Sequence, residues 1–271
     1  MACSHTDQTR RRLLRAALTS APAALLVDAF GMRAHAQSGP PARASRTIEL
    51  TAADGHRFAA FRSDPQGAPK GGIVILHAVY GLATGMGDMC ARWADAGYTA
   101  IAPALFDRHT RNLIHPYTKE GVTAGSKSYT ELSEAQILAD VQASAAAAGP
   151  ADRVAMSGFC TGGSWSWKAA AKLPFAAQVN FYGSHVHTDE YIGLVPRCPT
   201  IIHYGDKDPV VPMPEVEKIR ARHPALDMHI YPGAAHAFLN PDQASYHAPS
   251  AAPAWQRSIA FVDKHIGAKA P

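Results

Sequence analysis

Cysteine is scarce in this chain. There are four in 271 residues, and no two are spaced Cys-x-x-Cys. That excludes a thioredoxin-like redox site and argues against a zinc knuckle. Charge is also sparse, at 18% of residues, and the net excess of +4 is local. Arg10, Arg11, Arg12, Arg15 and Arg33 face only Asp7 and Asp28 in the first 36 positions, which leaves 21 basic against 20 acidic residues in the remainder. A body so nearly neutral has no electrostatic footprint for nucleic acid. There is no internal repeat, and no apolar run is long enough to cross a bilayer. What is present is 47% apolar residues with 21 Gly and 20 Pro. That composition fits a globular domain with a core and excludes disorder, collagen-like repeats and a disulfide-dense miniprotein.

The basic N-terminus reads as an address. Thr9-Arg10-Arg11-Arg12-Leu13-Leu14-Arg15 fits the twin-arginine export pattern. An apolar stretch follows from Ala16 to Val27, then a small-x-small cleavage site at Ala34-His35-Ala36. The alternative is a basic amphipathic helix that stays attached. The order of charge, apolar run and cleavage site favours a removed signal over residues 1–36. The partner would be the twin-arginine export machinery, the location periplasmic or secreted, and no stable membrane anchor would remain after cleavage. Residues 37–45, with Gly39-Pro40-Pro41, read as a linker, and 46–271 as a single domain. Cys90, Cys160 and Cys198 remain after cleavage, an odd number, and a Cys90–Cys198 bridge stays open.

Strand and helix signals alternate along that domain. Thr47–Leu50 and Arg57–Arg62 read as strands around an Asp54-Gly55 turn. Gly72-Ile73-Val74-Ile75-Leu76 is a continuous apolar run, as in a buried parallel strand. Further strands are expected at 98–102, 154–158, 177–182, 200–204 and 228–231. Helices are expected at 88–96, 131–148, 162–172, 214–222 and 253–266, with a long polar loop over 106–128. The pattern predicts an α/β class with a mostly parallel central sheet and helices on both faces. In such sheets the working groups lie beyond the carboxyl ends of the strands.

Three motifs lie there. Gly158-Phe159-Cys160-Thr161-Gly162-Gly163 joins a strand to a helix as a Gly-x-nucleophile-x-Gly turn, with cysteine at a helix N-terminus that favours its anion. Asp208 follows the strand ending at Tyr204, and His236 follows the strand ending at Tyr231. Singly, each has an ordinary explanation: an inert thiol, a capping acid, one of many histidines. Together, nucleophile, acid and histidine stand in the chain order of α/β-hydrolases.

These motifs closely resemble the dienelactone hydrolase (carboxymethylenebutenolidase) family. The resemblance rests on 158–163, on Gly205 to Pro212 and on Ala235-His236-Ala237-Phe238, and continues into Ala254-Trp255-Gln256-Arg257 and Phe261. It spans roughly residues 46 to 266. It implies an α/β-hydrolase fold, no cofactor, and a small lactone or activated ester opened through a thioester on Cys160. His236 would be the base, oriented by Asp208. The oxyanion would be held by the backbone N–H groups of Thr161 and Val79. A non-catalytic or redox-sensing protein that uses Cys160 as a reactive thiol is the competing reading.

Two positions depart from the family pattern. Its best-known members carry Gln-Glu after the strand ending at Leu76, and the Glu assists the cysteine; here the residues are His77-Ala78. They also carry an Arg four residues after the catalytic His to bind a substrate carboxylate; here it is Asn240. His77 could replace the acid or be structural. Arg108, Arg111 or Lys127 could bind an anion or be solvated surface charge. Tyr80, Phe159 and Phe238 are candidates for a substrate pocket, whereas Trp165 and Tyr182 read as core. His185-x-His187 has no third ligand spaced with it. It reads as a surface pair, so no metal is expected.

Overall fold

A computed structural model describes residues 44–266. The export signal expected over 1–36 and most of the 37–45 linker lie outside the described residues. Two short strands open the domain, β1 (Arg46–Thr51) and β2 (Arg57–Ser63), paired antiparallel as a hairpin. Its turn uses Gly55 at φ 84°, a left-handed conformation that glycine adopts without strain. Six strands follow: β3 (Gly71–Leu76), β4 (Tyr98–Pro103), β5 (Val154–Phe159), β6 (Ala177–Phe181), β7 (Thr200–Gly205) and β8 (Asp227–Tyr231). The sheet order is β1-β2-β4-β3-β5-β6-β7-β8, and every pairing from β4 onward is parallel.

Every residue of β3 is buried, because both faces of the sheet are covered. Ile73 and Ile75 point to one face, packed with Trp93 of α1 (Thr84–Asp95) and with Trp255 and Val262 of α7 (Ala248–Ile266). Val74 and Leu76 point to the other, packed with Ile137 and Val141 of α3 (Glu134–Ala148) and Ala169 of α4 (Thr161–Lys172). A strand covered on both sides gains no advantage from alternating polarity, which explains the unbroken apolar run.

The polar stretch expected as a loop is not one. Leu105–Arg108 forms a 3-10 turn, and Lys119–Thr130 forms a helix, α2, with Thr118 capping Gly121 N–H at 3.1 Å. Gly121 and Gly125, which read as loop residues, are packing residues: a Cβ on either would meet backbone within 2.0 Å. Consequently α3 starts at Glu134 rather than Glu131, behind a Ser133–Gln136 capping box. The last helix begins five residues earlier than Pro253. Its first turn is held by Ser250 and Ala251 N–H groups donating to the His247 carbonyl, so Pro253 lies inside the helix, past the first turn, where its missing N–H removes one i→i−4 bond. Two short helices complete the fold, α5 (Asp189–Ile192) and α6 (Met213–Arg222).

Strand order reverses between β3 and β5, with β4 on one side and β6 on the other. A crevice opens at the carboxyl ends of strands at such a point. No helix among the described residues is long and apolar enough to cross a membrane.

Candidate active site

Cys160 stands between β5 and α4 at φ 55°, ψ −121°. That left-handed backbone is costly for a side-chain-bearing residue and persists only where its surroundings fix it. Here the Cys160 N–H donates to the Phe181 carbonyl, and its own carbonyl accepts from the N–H groups of Ser164 and Ser184, each at 3.1 Å. The flanking glycines are required by close approach. A Cβ on Gly158 would lie 2.1 Å from the Gly162 carbonyl oxygen, and one on Gly162 would lie 2.3 Å from that of His77. Strain is concentrated at this end of the sheet: Tyr182 and Ala237 are also left-handed, at φ 43° and 61°.

Asp208 follows β7 and is fully buried. Its Oδ1 accepts from Val210 and Val211 N–H at 2.8 and 3.0 Å, and its Oδ2 lies 2.8 Å from Nδ1 of His236. Both carboxylate oxygens are therefore occupied, and the imidazole is held with Nε2 turned away from the acid. That Nε2 has no hydrogen-bond partner among the described residues. The histidine and the cysteine nevertheless bias each other through charge. Burial pushes the Cys160 thiol up, but the positive charge of His236 together with hydrogen bonding from His236 and Thr161 outweighs it and brings the thiol below its ordinary range. Burial alone would push His236 down; the Cys160 charge and the Asp208 hydrogen bond raise it to about 10. Both shifts run in the direction that favours a thiolate beside an imidazolium.

Thr161 opens α4, so its N–H belongs to the unpaired first turn of a helix. Val79 follows β3 across the crevice, and its N–H donates to no backbone acceptor among the described residues. Both residues line the cavity that Cys160 faces. Paired donors on either side of a thiol are suited to receive a developing oxyanion.

His77 does not line that cavity. It is fully buried, its Nδ1 lies 2.7 Å from the Ala78 carbonyl oxygen, and its ring stands edge-on to Phe106. Burial holds it down at about 4, so it is a neutral core residue and does not stand in for the missing acid. The three candidate anion binders are engaged elsewhere. Arg108 forks onto Asp140 at 2.8 and 2.9 Å, Arg111 reaches Glu49 at 3.1 Å, and Lys127 pairs with Glu131 at 3.6 Å. Asn240 does line the cavity.

The cavity measures about 670 Å³. Tyr80 and Phe159 are in its wall as expected, but Phe238 is not. Phe238 is wholly buried between Tyr182 and Tyr231, with ring centroids 5.5 and 5.2 Å away. It supports the wall from behind, because the turn at Ala237 swings the next side chain into the core. Tyr182, read from the sequence as core, does face the cavity and stands edge-on to His236 at 5.1 Å. Its position after β6, the strand beside β5, was the available signal. His185 and His187 lie at the surface as expected, His185 exposed and His187 half-buried, and they also form part of the cavity wall; among the described residues no third ligand joins them. Cys90 and Cys198 are unpaired and belong to clusters on opposite faces of the sheet, so they form no bridge.

A mostly parallel sheet with a cysteine elbow, an acid and a histidine at the ends of β5, β7 and β8 defines an α/β-hydrolase. Residues 58–266 match the dienelactone hydrolase family, and the chain belongs to that family of hydrolases. A Synechocystis relative, provisionally named carboxymethylenebutenolidase, is 31% identical over 208 residues, covering 68% of this chain and 82% of the relative. The carboxymethylenebutenolidase of Pseudomonas putida is 28% identical, covering 79% of this chain and 94% of its own. A provisionally named dienelactone hydrolase from Klebsiella pneumoniae superposes with a TM-score of 0.68 at 28% identity, over 81% of this chain and 99% of that one.

Proposed function

We propose that this protein hydrolyses lactones or activated esters through a thioester on Cys160, with His236 and Asp208 managing the proton. The observation that carries this reading is the strained Cys160 at the cavity beside a histidine whose Nδ1 is 2.8 Å from Asp208 Oδ2.

In the first half of the cycle the thiolate attacks the substrate carbonyl, and the oxyanion is received by the Val79 and Thr161 N–H groups. Collapse expels the enolate or alkoxide, which takes the proton from His236 Nε2. In the second half neutral His236 removes a proton from water. The hydroxide attacks the thioester carbonyl, the acid leaves, and the thiolate is restored beside imidazolium. Thiolate is itself a good leaving group, so a poor leaving group on the substrate would return the complex to reactants. That favours enol lactones and aryl esters over alkyl esters and amides. The twin-arginine pattern supports export of the folded chain, with loss of residues 1–36, to the periplasm or beyond.

The test sets the full chain beside its Cys160→Ala variant on dienelactone and on p-nitrophenyl acetate. Turnover of either substrate that disappears in the variant supports the proposal. Equal turnover in both proteins removes Cys160 from the chemistry.

A further inference from the structure

The reading of Cys160 as a hydrolytic nucleophile leaves its substrate open, and the following rests on that reading. We infer that the substrate is uncharged and carries a large apolar group that runs from Cys160 out to the rim of the cavity.

Two independent features carry this. First, no Lys, Arg, Asp or Glu lines the cavity among the described residues. Arg108 is tied to Asp140 and Asp54, Arg111 to Glu49 and the Arg57 carbonyl, and Lys127 to Glu131. Lys119 and Lys207, nearer in sequence to the walls, are not part of the lining. The His236 charge is already matched by Cys160 and hydrogen-bonded to Asp208. At the rim, Asp242 is near enough for its charge to reach Tyr117. A substrate carboxylate would lose hydration, find no cation and face like charge.

Second, exposed apolar side chains gather at the mouth. The described residues include six large exposed hydrophobics: Ile114, Tyr117, Val122, Val195, Val210 and Tyr246. Tyr117, Val122 and Val210 line the cavity, and Ile114 is bridged through its backbone to Gly81 in the same wall. Deeper in, Met86, Met89 and Leu239 continue the apolar lining to Cys160. Apolar side chains gathered at a concave opening mark a binding surface rather than chance exposure. One apolar path thus joins the reacting carbon to the rim, and it suits an uncharged aryl or alkyl group of a lactone or ester.

The test uses two esters of one length, p-nitrophenyl methyl adipate and p-nitrophenyl hydrogen adipate, which differ only in whether the far end is a methyl ester or a carboxylate. The full chain is expected to favour the neutral ester in kcat/KM by about tenfold or more. Val122→Lys, on the exposed face of α2, is expected to narrow that ratio by speeding the anion and slowing the neutral ester. Val195→Lys, away from the cavity, is expected to leave both rates as they were. Equal or faster turnover of the carboxylate by the unaltered chain overturns the inference, as does a Val122→Lys ratio equal to that of Val195→Lys. Loss of Cys160 dependence for both esters would instead overturn the hydrolase reading on which it rests.

Discussion

Gly125 presses against Val79 so closely that a Cβ on it would stand 1.7 Å from the Val79 carbonyl oxygen. The α2 helix therefore fixes the height of the loop that carries Val79, the proposed second oxyanion donor. Gly125→Ala must move one or the other. The expected result is a fall in kcat approaching 10²-fold, the usual consequence of losing one oxyanion donor. KM for a small aryl ester should change much less. A melting temperature measured alongside separates this from general unfolding, and an unchanged kcat would show that Val79 holds no oxyanion.

Asp208 keeps the His236 ring in one orientation through a 2.8 Å contact. Asp208→Asn preserves the shape but presents an amide to Nδ1, favouring the wrong tautomer. Steady-state kinetics on p-nitrophenyl acetate should show a kcat loss of order 10² to 10⁴. A loss of less than about threefold would remove Asp208 from the proton pathway.

The proposed thiolate–imidazolium pair predicts a pH signature. Cys160 is held below the ordinary thiol range and His236 is raised to about 10. Alkylation by iodoacetamide needs thiolate, so the midpoint of its pH profile should lie below that of a free cysteine, about 8.5. His236→Ala removes the favourable charge and leaves burial to dominate, so the midpoint should move upward. Cys90 and Cys198, both pushed up to about 12 by burial, should remain unlabelled. A midpoint unaffected by His236→Ala would contradict the pairing.

The elements that were plain in the sequence are those where one physical demand dominates. β3 had to be apolar throughout because both its faces are covered, and the Cys160 elbow needed Gly158 and Gly162 because backbone passes within the radius of a methyl group. What stayed hidden depended on contacts made across the fold. Gly121 and Gly125 carry the signature of a loop, yet they are glycine so that α2 can touch the backbone at Pro116 and Val79. Tyr182 and Phe238 are adjacent aromatic residues in space, 5.5 Å apart, and only the local backbone decides that the first faces the cavity and the second the core. His77 occupied the place of an expected acid, but nothing local revealed that its ring turns toward Phe106 and Tyr129.

His77 also gives the fold an acid sensitivity. It is buried and neutral, held at about 4 from an ordinary 6.5. The unfolded chain therefore binds its proton first as pH falls, so stability is lost on acidification between those values. Its share is about 2 kcal/mol between pH 7 and pH 5. Urea unfolding at the two pH values should show at least that loss, and His77→Leu should reduce the difference. A pH-independent stability over this range would mean that His77 already titrates normally in the folded state.

The most direct test of the proposed chemistry is to mix the protein with p-nitrophenyl butyrate, quench in acid within the first turnover, and weigh the intact chain. One added acyl group, located on the peptide containing Cys160 and released by hydroxylamine, is the expected result. Release of p-nitrophenol with no acyl group on Cys160, at a rate shared by Cys160→Ala, would contradict a thioester mechanism.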